Sequence, residues 1–451
     1  MNYTLTIRDN ASQKISVGWL ILGLASLIFA GLFSLLLVLS RTPFIQEIIP
    51  WTDFFHTALV VHVDLSVLIW FLSFSSVLWS LNSQPKLIPL GKVALYLATL
   101  GTATIIISPF AGAGKPLLNN YIPVLQHPFF YIGLMLFAAG VCLQLLRSIF
   151  LAEKAKEPNS GEAAIRLALT LAAFTTVVTF IAFFYTWLNV PTDMEATSYF
   201  EFLFWGSGHI LQFNHTILLL AAWLWLASTC GAVITISSKL VKLLFVLTAT
   251  PILVAPIIYS QYDILSLEHK LAFTQLMRYG GLASLPLGLL VFLNLFSIKK
   301  PSQKTKPHHS ALLASIILFA AGGIIGFMIE GANVVIPAHY HGSIVGVTLA
   351  FMGLTYALLP QLGFSAPQSK VAYLQPYIYG SGQLMHILGL AWSGGYGVQR
   401  KTAGAEQVLD QLPQIAGMAM MGLGGLISII GGLLFLVVAI GAMRSKKANY
   451  L

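Results

Sequence analysis

Twelve apolar stretches of about 20 residues or more, nearly free of charge, limit what this chain can fold into, because about 20 such residues in a helix match the hydrocarbon thickness of a bilayer. They fall at 15–40, 55–82, 88–111, 127–151, 163–189, 200–236, 239–260, 271–298, 310–334, 338–364, 372–394 and 413–443. Charged residues make up 9% of the sequence and hydrophobic ones 57%, against about 25% charged in soluble proteins. No soluble enzyme has that balance. In hydrocarbon each unpaired backbone N–H or C=O costs several kcal/mol, which excludes lipid-facing loops and open sheets and predicts helices. The chain therefore reads as an all-α polytopic membrane protein, a single transmembrane domain over residues 1–451. The first stretch is too long for a cleaved leader, and no small-residue cleavage pattern follows it.

Of the 24 lysines and arginines, eighteen lie at the termini and in alternate loops. The remaining loops hold Arg41, Lys115, Lys270, Arg278, Arg400 and Lys401. That asymmetry predicts both termini in the cytoplasm. The net charge of +9 is scattered through short loops, where it sets topology; it forms no basic patch, and no nucleic-acid partner is expected. Cys142 and Cys230 lie in apolar segments without metal-type spacing and read as packing residues.

Ionisable groups inside a membrane are costly, which makes them the first place to look for function. His62 lies about two turns into helix two and His209 about two turns into helix six, while His339 and His341 open helix ten. All three helices start at the outer face, so three spans offer imidazoles at one depth, as a shared metal or heme layer requires. Residues two apart on a helix project to opposite sides, so His339 and His341 could serve two planar cofactors from one helix. Asp64, Glu201 and Glu330 are the carboxylates available to a proton path. His386 either lines that layer or, the favoured reading, is a core histidine; His56 and His215 read as structural, His127 as interfacial, and His308 and His309 as residents of a cytoplasmic loop.

In these residues the sequence resembles the catalytic subunit of the heme-copper oxidase superfamily. His339-Tyr-His341, followed by Gly346, Gly353, Tyr356 and Pro360, is similar to that family's tenth helix, in the form found in C-type oxidases and nitric oxide reductases. The segments His62-Val-Asp-Leu-Ser-Val-Leu-Ile-Trp70 and Trp205-Gly-Ser-Gly-His209 are similar to its second and sixth helices. The resemblance covers residues 15–443 and implies a twelve-helix heme-copper oxidase-like bundle in a bacterial-type inner membrane. It implies two hemes. His62 and His341 would fill both axial positions of a low-spin heme, which then only passes electrons. His339 would hold a high-spin heme with one position open to a gas. Arg400 and Lys401 either pair with heme propionates or form an ordinary solvated loop.

His209 would be one ligand of the copper, or in nitric oxide reductases the non-heme iron, that faces the open heme. Here the sequence departs from the family. Aligning Ala255-Pro256 with the family's Gly-Pro puts Ile257 and Ile258 where two further histidines belong. A gapped alternative offers Glu268 and His269, but in the outer loop, and brings Tyr262 six residues before Glu268, as in C-type enzymes. A lone His209 is a poor copper site, since an N-rich centre takes about three or four ligands. The resemblance implies cytochrome c oxidase-type reduction of dioxygen. Nitric oxide reduction and a diheme electron-transfer or gas-binding protein without copper stay open beside it. With no cytochrome c domain or binuclear copper motif in this chain, electrons would come from another membrane or periplasmic subunit.

Overall fold

The computed structural model describes residues 1–7, 11–42, 52–112, 114–299 and 301–445. Arg8, Lys300, Lys446 and Lys447, which enter the charge asymmetry, lie outside them. The described chain is mostly helical: α1 Ala11–Arg41, α2 52–81, α3 Ile88–Ile107, α4 Pro128–Phe150, α5 Gly161–Asn189, α6 Ala196–Thr229, α7 Ser238–Gln261, α8 Leu267–Leu295, α9 Lys306–Phe327, α10 Val335–Leu358, α11 Lys370–Gly395 and α12 Leu412–Arg444. Eleven of these are long and apolar enough to cross a bilayer, and α11 is the exception. Its 26 residues reach far enough, but Gln375, Gln383, His386 and three tyrosines dilute its apolar content. The expected twelve apolar spans are thus eleven, with one polar helix of spanning length. Between α3 and α4 the strands Pro116–Leu117 and Val124–Leu125 form a short antiparallel pair.

Local chemistry sets the helix ends. Ser160, Ser237, Ser266 and Ser369 each stand before a helix and accept a hydrogen bond from a first-turn N–H, the usual serine N-cap. Ser266 places the start of α8 at Leu267, so Glu268 and His269 lie in its first turn and not in an outer loop. The helix α9 begins at Lys306 without a side-chain cap and takes in His308 and His309, which therefore do not lie in a loop. Proline interrupts two spans: Pro251 sits in the 3-10 turn Thr250–Val254 of α7, and Pro286 follows the 3-10 turn Gly281–Ser284 of α8. In α2 a π-helical stretch, Asp64–Ile69, separates Thr52–Val63 from Trp70–Leu81.

The helices gather into two compact units. The first comprises Met1–Gly23 and Leu68–Lys299, the second Leu24–Val67 and Lys300–Leu451. In the first, α3 packs on α4 and α5 on α6; in the second, α9 packs on α10 and α11 on α12. The α9–α10 contact depends on small residues, because a Cβ at Gly342 would stand 2.5 Å from the Gly322 Cα. At one end of the first unit the buried Arg147 donates to the Lys86 carbonyl at 3.1 Å and to Ser12 Oγ at 2.8 Å. Arg166 meets Glu162 at 2.7 Å and Glu153 at 3.0 Å there.

Candidate functional site

Four histidines of the second unit stand on three helices. His62, on α2, donates its Nδ1–H to the Ala30 carbonyl of α1 at 2.9 Å. His339, on α10, donates its Nδ1–H to the Gly322 carbonyl of α9 at 2.8 Å. It leans on Gly326, where a Cβ would lie 2.6 Å from Nδ1. His341 turns instead to α11, its ring centroid 4.9 Å from that of His386 and tilted by 58°. One helix thus presents two imidazoles to two different neighbours. His386 donates its own Nδ1–H to the Met421 carbonyl of α12 at 3.0 Å. A carbonyl can only accept, so in His62, His339 and His386 the hydrogen is on Nδ1, and Nε2 keeps a lone pair on the far side of the ring. Outer-shell carbonyls orient metal-binding histidines in this way.

Positive charge borders these imidazoles. Arg41, the last residue of α1, has its Nε and Nη2 buried with no acceptor among the described residues. Arg41 and Arg400 both act electrostatically on Tyr340, the residue between His339 and His341. Lys401 holds a left-handed turn at φ 64°, and its carbonyl accepts from His56 Nε2 at 3.3 Å. A guanidinium with two buried nitrogens that lack an acceptor among the described residues suits an anionic ligand, and three imidazoles whose Nε2 makes no hydrogen bond among the described residues suit iron. The second unit fits heme carrying carboxylate side chains.

Two residues beyond His62, Asp64 is fully buried and neither of its oxygens has a partner among the described residues. It opens the π-helical stretch, and π turns inside α-helices often mark functional positions. An ionised carboxylate in that setting is prohibitively costly, so Asp64 carries a proton or binds water.

In the first unit, His209 on α6 donates its Nδ1–H to the carbonyl of Trp205, one turn earlier, at 2.7 Å. Trp205, Tyr121 and Phe273 surround its ring with centroids at 4.8, 5.0 and 5.8 Å. Trp205 Nε1 donates to the Lys270 carbonyl at 3.2 Å and ties α6 to α8. That tie brings in His269, which is 1% exposed and has no partner for either ring nitrogen among the described residues. Its ring packs on Tyr259 at 5.1 Å and Phe273 at 5.0 Å, and it lies within electrostatic range of His209. Tyr259 Oη and Thr186 Oγ1 hydrogen-bond at 3.0 Å. Glu268 faces solvent or lipid. Ile257 is 57% exposed, and Ile258 is buried in an apolar cluster with Ile210, Phe213 and Phe273. Among the described residues no three His, Cys, Asp or Glu side chains are placed to hold one metal ion. Two imidazoles fall short of the three or four ligands of an N-rich copper centre, so copper does not fit the described residues.

Reading the sequence favoured a core role for His386 and missed Arg41, Tyr121 and Tyr259. For His386 a signal existed: it lies nearly as many residues inside Gly395, the end of its helix, as His62 lies inside Thr52. His215, read as structural, is buried with both ring nitrogens unpartnered among the described residues, its ring edge-on to Phe71 at 4.8 Å. Nothing comparable marks Tyr121, which sits in the loop between the two short strands.

Residues 14–434 match the family model of the cytochrome c and quinol oxidase polypeptide I. An uncharacterized protein of Rickettsia prowazekii is 33% identical over 95% of this chain and 95% of its own length. An uncharacterized protein of Aquifex aeolicus is 29% identical over 80% of this chain and 88% of its own. Cytochrome c oxidase subunit 1 of Thermus thermophilus is 21% identical over 96% of this chain and 85% of that protein. A solved heme-copper terminal oxidase superposes with a TM-score of 0.72, covering 98% of this chain and 86% of its own at 17% identity, a likeness of fold.

Proposed function

Because this chain belongs to the cytochrome c and quinol oxidase polypeptide I family, the subunit I of heme-copper oxidases, we propose that it is a diheme respiratory subunit of a bacterial inner membrane that reduces dioxygen. His62 and His341 would hold a low-spin heme, and His339 would hold a high-spin heme. When bound, the first heme supplies one-electron transfer and the second an open iron position for a gas. The observation that carries this reading is the pair on α10, with His339 turned to α9 and His341 to α11.

The chain's own residues do the rest. The Ala30 and Gly322 carbonyls hold His62 and His339 as Nδ1–H tautomers and aim each Nε2 away from the helix that pins it. Arg41, Arg400 and Lys401 neutralise heme carboxylates at the end of α1 and in the α11–α12 loop, guanidinium groups being suited to paired carboxylate contacts. Asp64 holds a proton near His62. Trp205, Tyr121, Tyr259 and Phe273 shield His209 and His269 from water. Electrons arrive from a separate membrane or periplasmic subunit.

A second reading rests on His209 and His269 alone: a diheme electron-transfer or gas-binding subunit without copper, or one whose second metal serves nitric oxide. Protein purified in detergent decides between them by pyridine hemochrome, metal content, carbon monoxide binding and oxygen uptake with an artificial donor. The oxidase reading expects two hemes per chain, one of them binding carbon monoxide, together with oxygen uptake. Two hemes without oxygen uptake favour the second reading. A chain that takes up no heme sinks both.

A further inference from the structure

A low-spin iron needs two imidazoles, yet the second unit brings three together. His341 on α10 packs against His386 on α11 with ring centroids 4.9 Å apart, and both His386 and His62 act on it electrostatically. The three rings are not held alike. His62 and His386 each have Nδ1–H tied to a backbone carbonyl, Ala30 and Met421, at 2.9 and 3.0 Å. His341 makes no such bond among the described residues. By the carbonyl that orients an iron-binding imidazole, His386 is the better prepared of the two neighbours.

The packing of α11 on α12 explains why. A Cβ at Gly424 would stand 2.5 Å from the His386 backbone nitrogen, and one at Gly425 would stand 3.3 Å from its Nδ1. Two adjacent glycines let the helices approach until the Nδ1 edge of the ring meets the Met421 carbonyl. The Nε2 edge, on the opposite side of the ring, is thereby turned away from α12. Any residue larger than glycine at 424 would separate the two backbones at this level.

We propose that His386 is a second imidazole competent for the axial position assigned above to His341, so that the low-spin heme site holds two interchangeable ligands on α10 and α11. Exchange breaks one Fe–N bond and forms another, and moves no electron or proton. The proposal rests on the bis-histidine reading given under Proposed function. It goes further in claiming that this reading survives loss of His341.

The test uses the full chain in detergent, with His341→Ala, His341→Gln, His386→Ala and the double variant His341→Ala/His386→Ala. Electron paramagnetic resonance and near-infrared magnetic circular dichroism of the ferric protein report bis-imidazole heme, and carbon monoxide binding of the reduced protein reports open iron. Either His341 variant is expected to keep most of the wild-type bis-imidazole signal, with shifted g values. His386→Ala keeps it as well. The double variant loses it and binds a second equivalent of carbon monoxide. If both His341 variants lose the bis-imidazole signal, whether by opening the iron or by losing the heme, while His386→Ala retains it, the proposal is overturned. A wild-type protein with no bis-imidazole heme would defeat the functional reading instead.

Discussion

The His339 ring fills the space that glycine leaves on α9, with its Nδ1–H already committed to the Gly322 carbonyl. In Gly326→Ala the new methyl would stand 2.6 Å from Nδ1 and 2.7 Å from Cε1, so the ring has to leave that carbonyl or the helices have to part. Overpacking of this kind costs about 1–3 kcal/mol. The variant is expected to lose carbon monoxide-binding heme severalfold while keeping its low-spin heme, as total hemochrome set beside the carbon monoxide difference spectrum will show. At this scale the sequence was legible where spacing decides direction: His339 and His341, two residues apart, do face different neighbours. It was not legible for the hydrogen-bond partner of His386 or for the surroundings of Arg41. The role of His386 depends on which carbonyl of another helix meets its ring, and that of Arg41 on what buries its guanidinium.

Among the elements, α6 shows how a helix end is secured. Glu195 is its N-cap, accepting from the Ser198 backbone N–H at 2.9 Å. Hydrogen bonds from Thr197 and Ser198 pull its carboxyl down to about 2. A carboxyl held below its usual range stabilises the fold above that range, and the contribution is lost as pH falls towards about 2. Glu195→Ala is therefore expected to speed amide exchange in the first turn of α6 at neutral pH, with the difference from wild type shrinking as pH is lowered towards about 2. Apolar runs located the spans to within a few residues. The start of α8 was misplaced because Glu268, His269 and Lys270 interrupt the apolar pattern, although Ser266 is an N-cap signal that places them in the helix. The π-helical stretch of α2 had no signal at all, since nothing in Asp64–Ile69 dictates that turn locally.

For the whole molecule, the placement of lysine and arginine leads to a testable topology. Ser302→Cys, in the loop before α9, is expected to react with a membrane-impermeant maleimide only from the cytoplasmic side, and Gln399→Cys, in the α11–α12 loop, only from the opposite side. Labelling of intact spheroplasts against inverted vesicles distinguishes them; equal labelling of both from one side would reverse the argument. The native background is low. Burial pushes the Cys230 thiol up to about 12, where little reactive thiolate forms at neutral pH.

The sequence alone determined that this chain is built of membrane helices, and it pointed to histidines on several of them as the candidate site. Both follow from local physics: an unpaired backbone group is intolerable in hydrocarbon, and an imidazole is too costly there to persist without a role. Only the tertiary structure decided which imidazoles meet. Helix rotation and approach are set by contacts distant in sequence, such as Gly424 against His386 and Trp205 against the Lys270 carbonyl. Those contacts bring His386 to His341 and His269 towards His209, and apolar periodicity contains no trace of either.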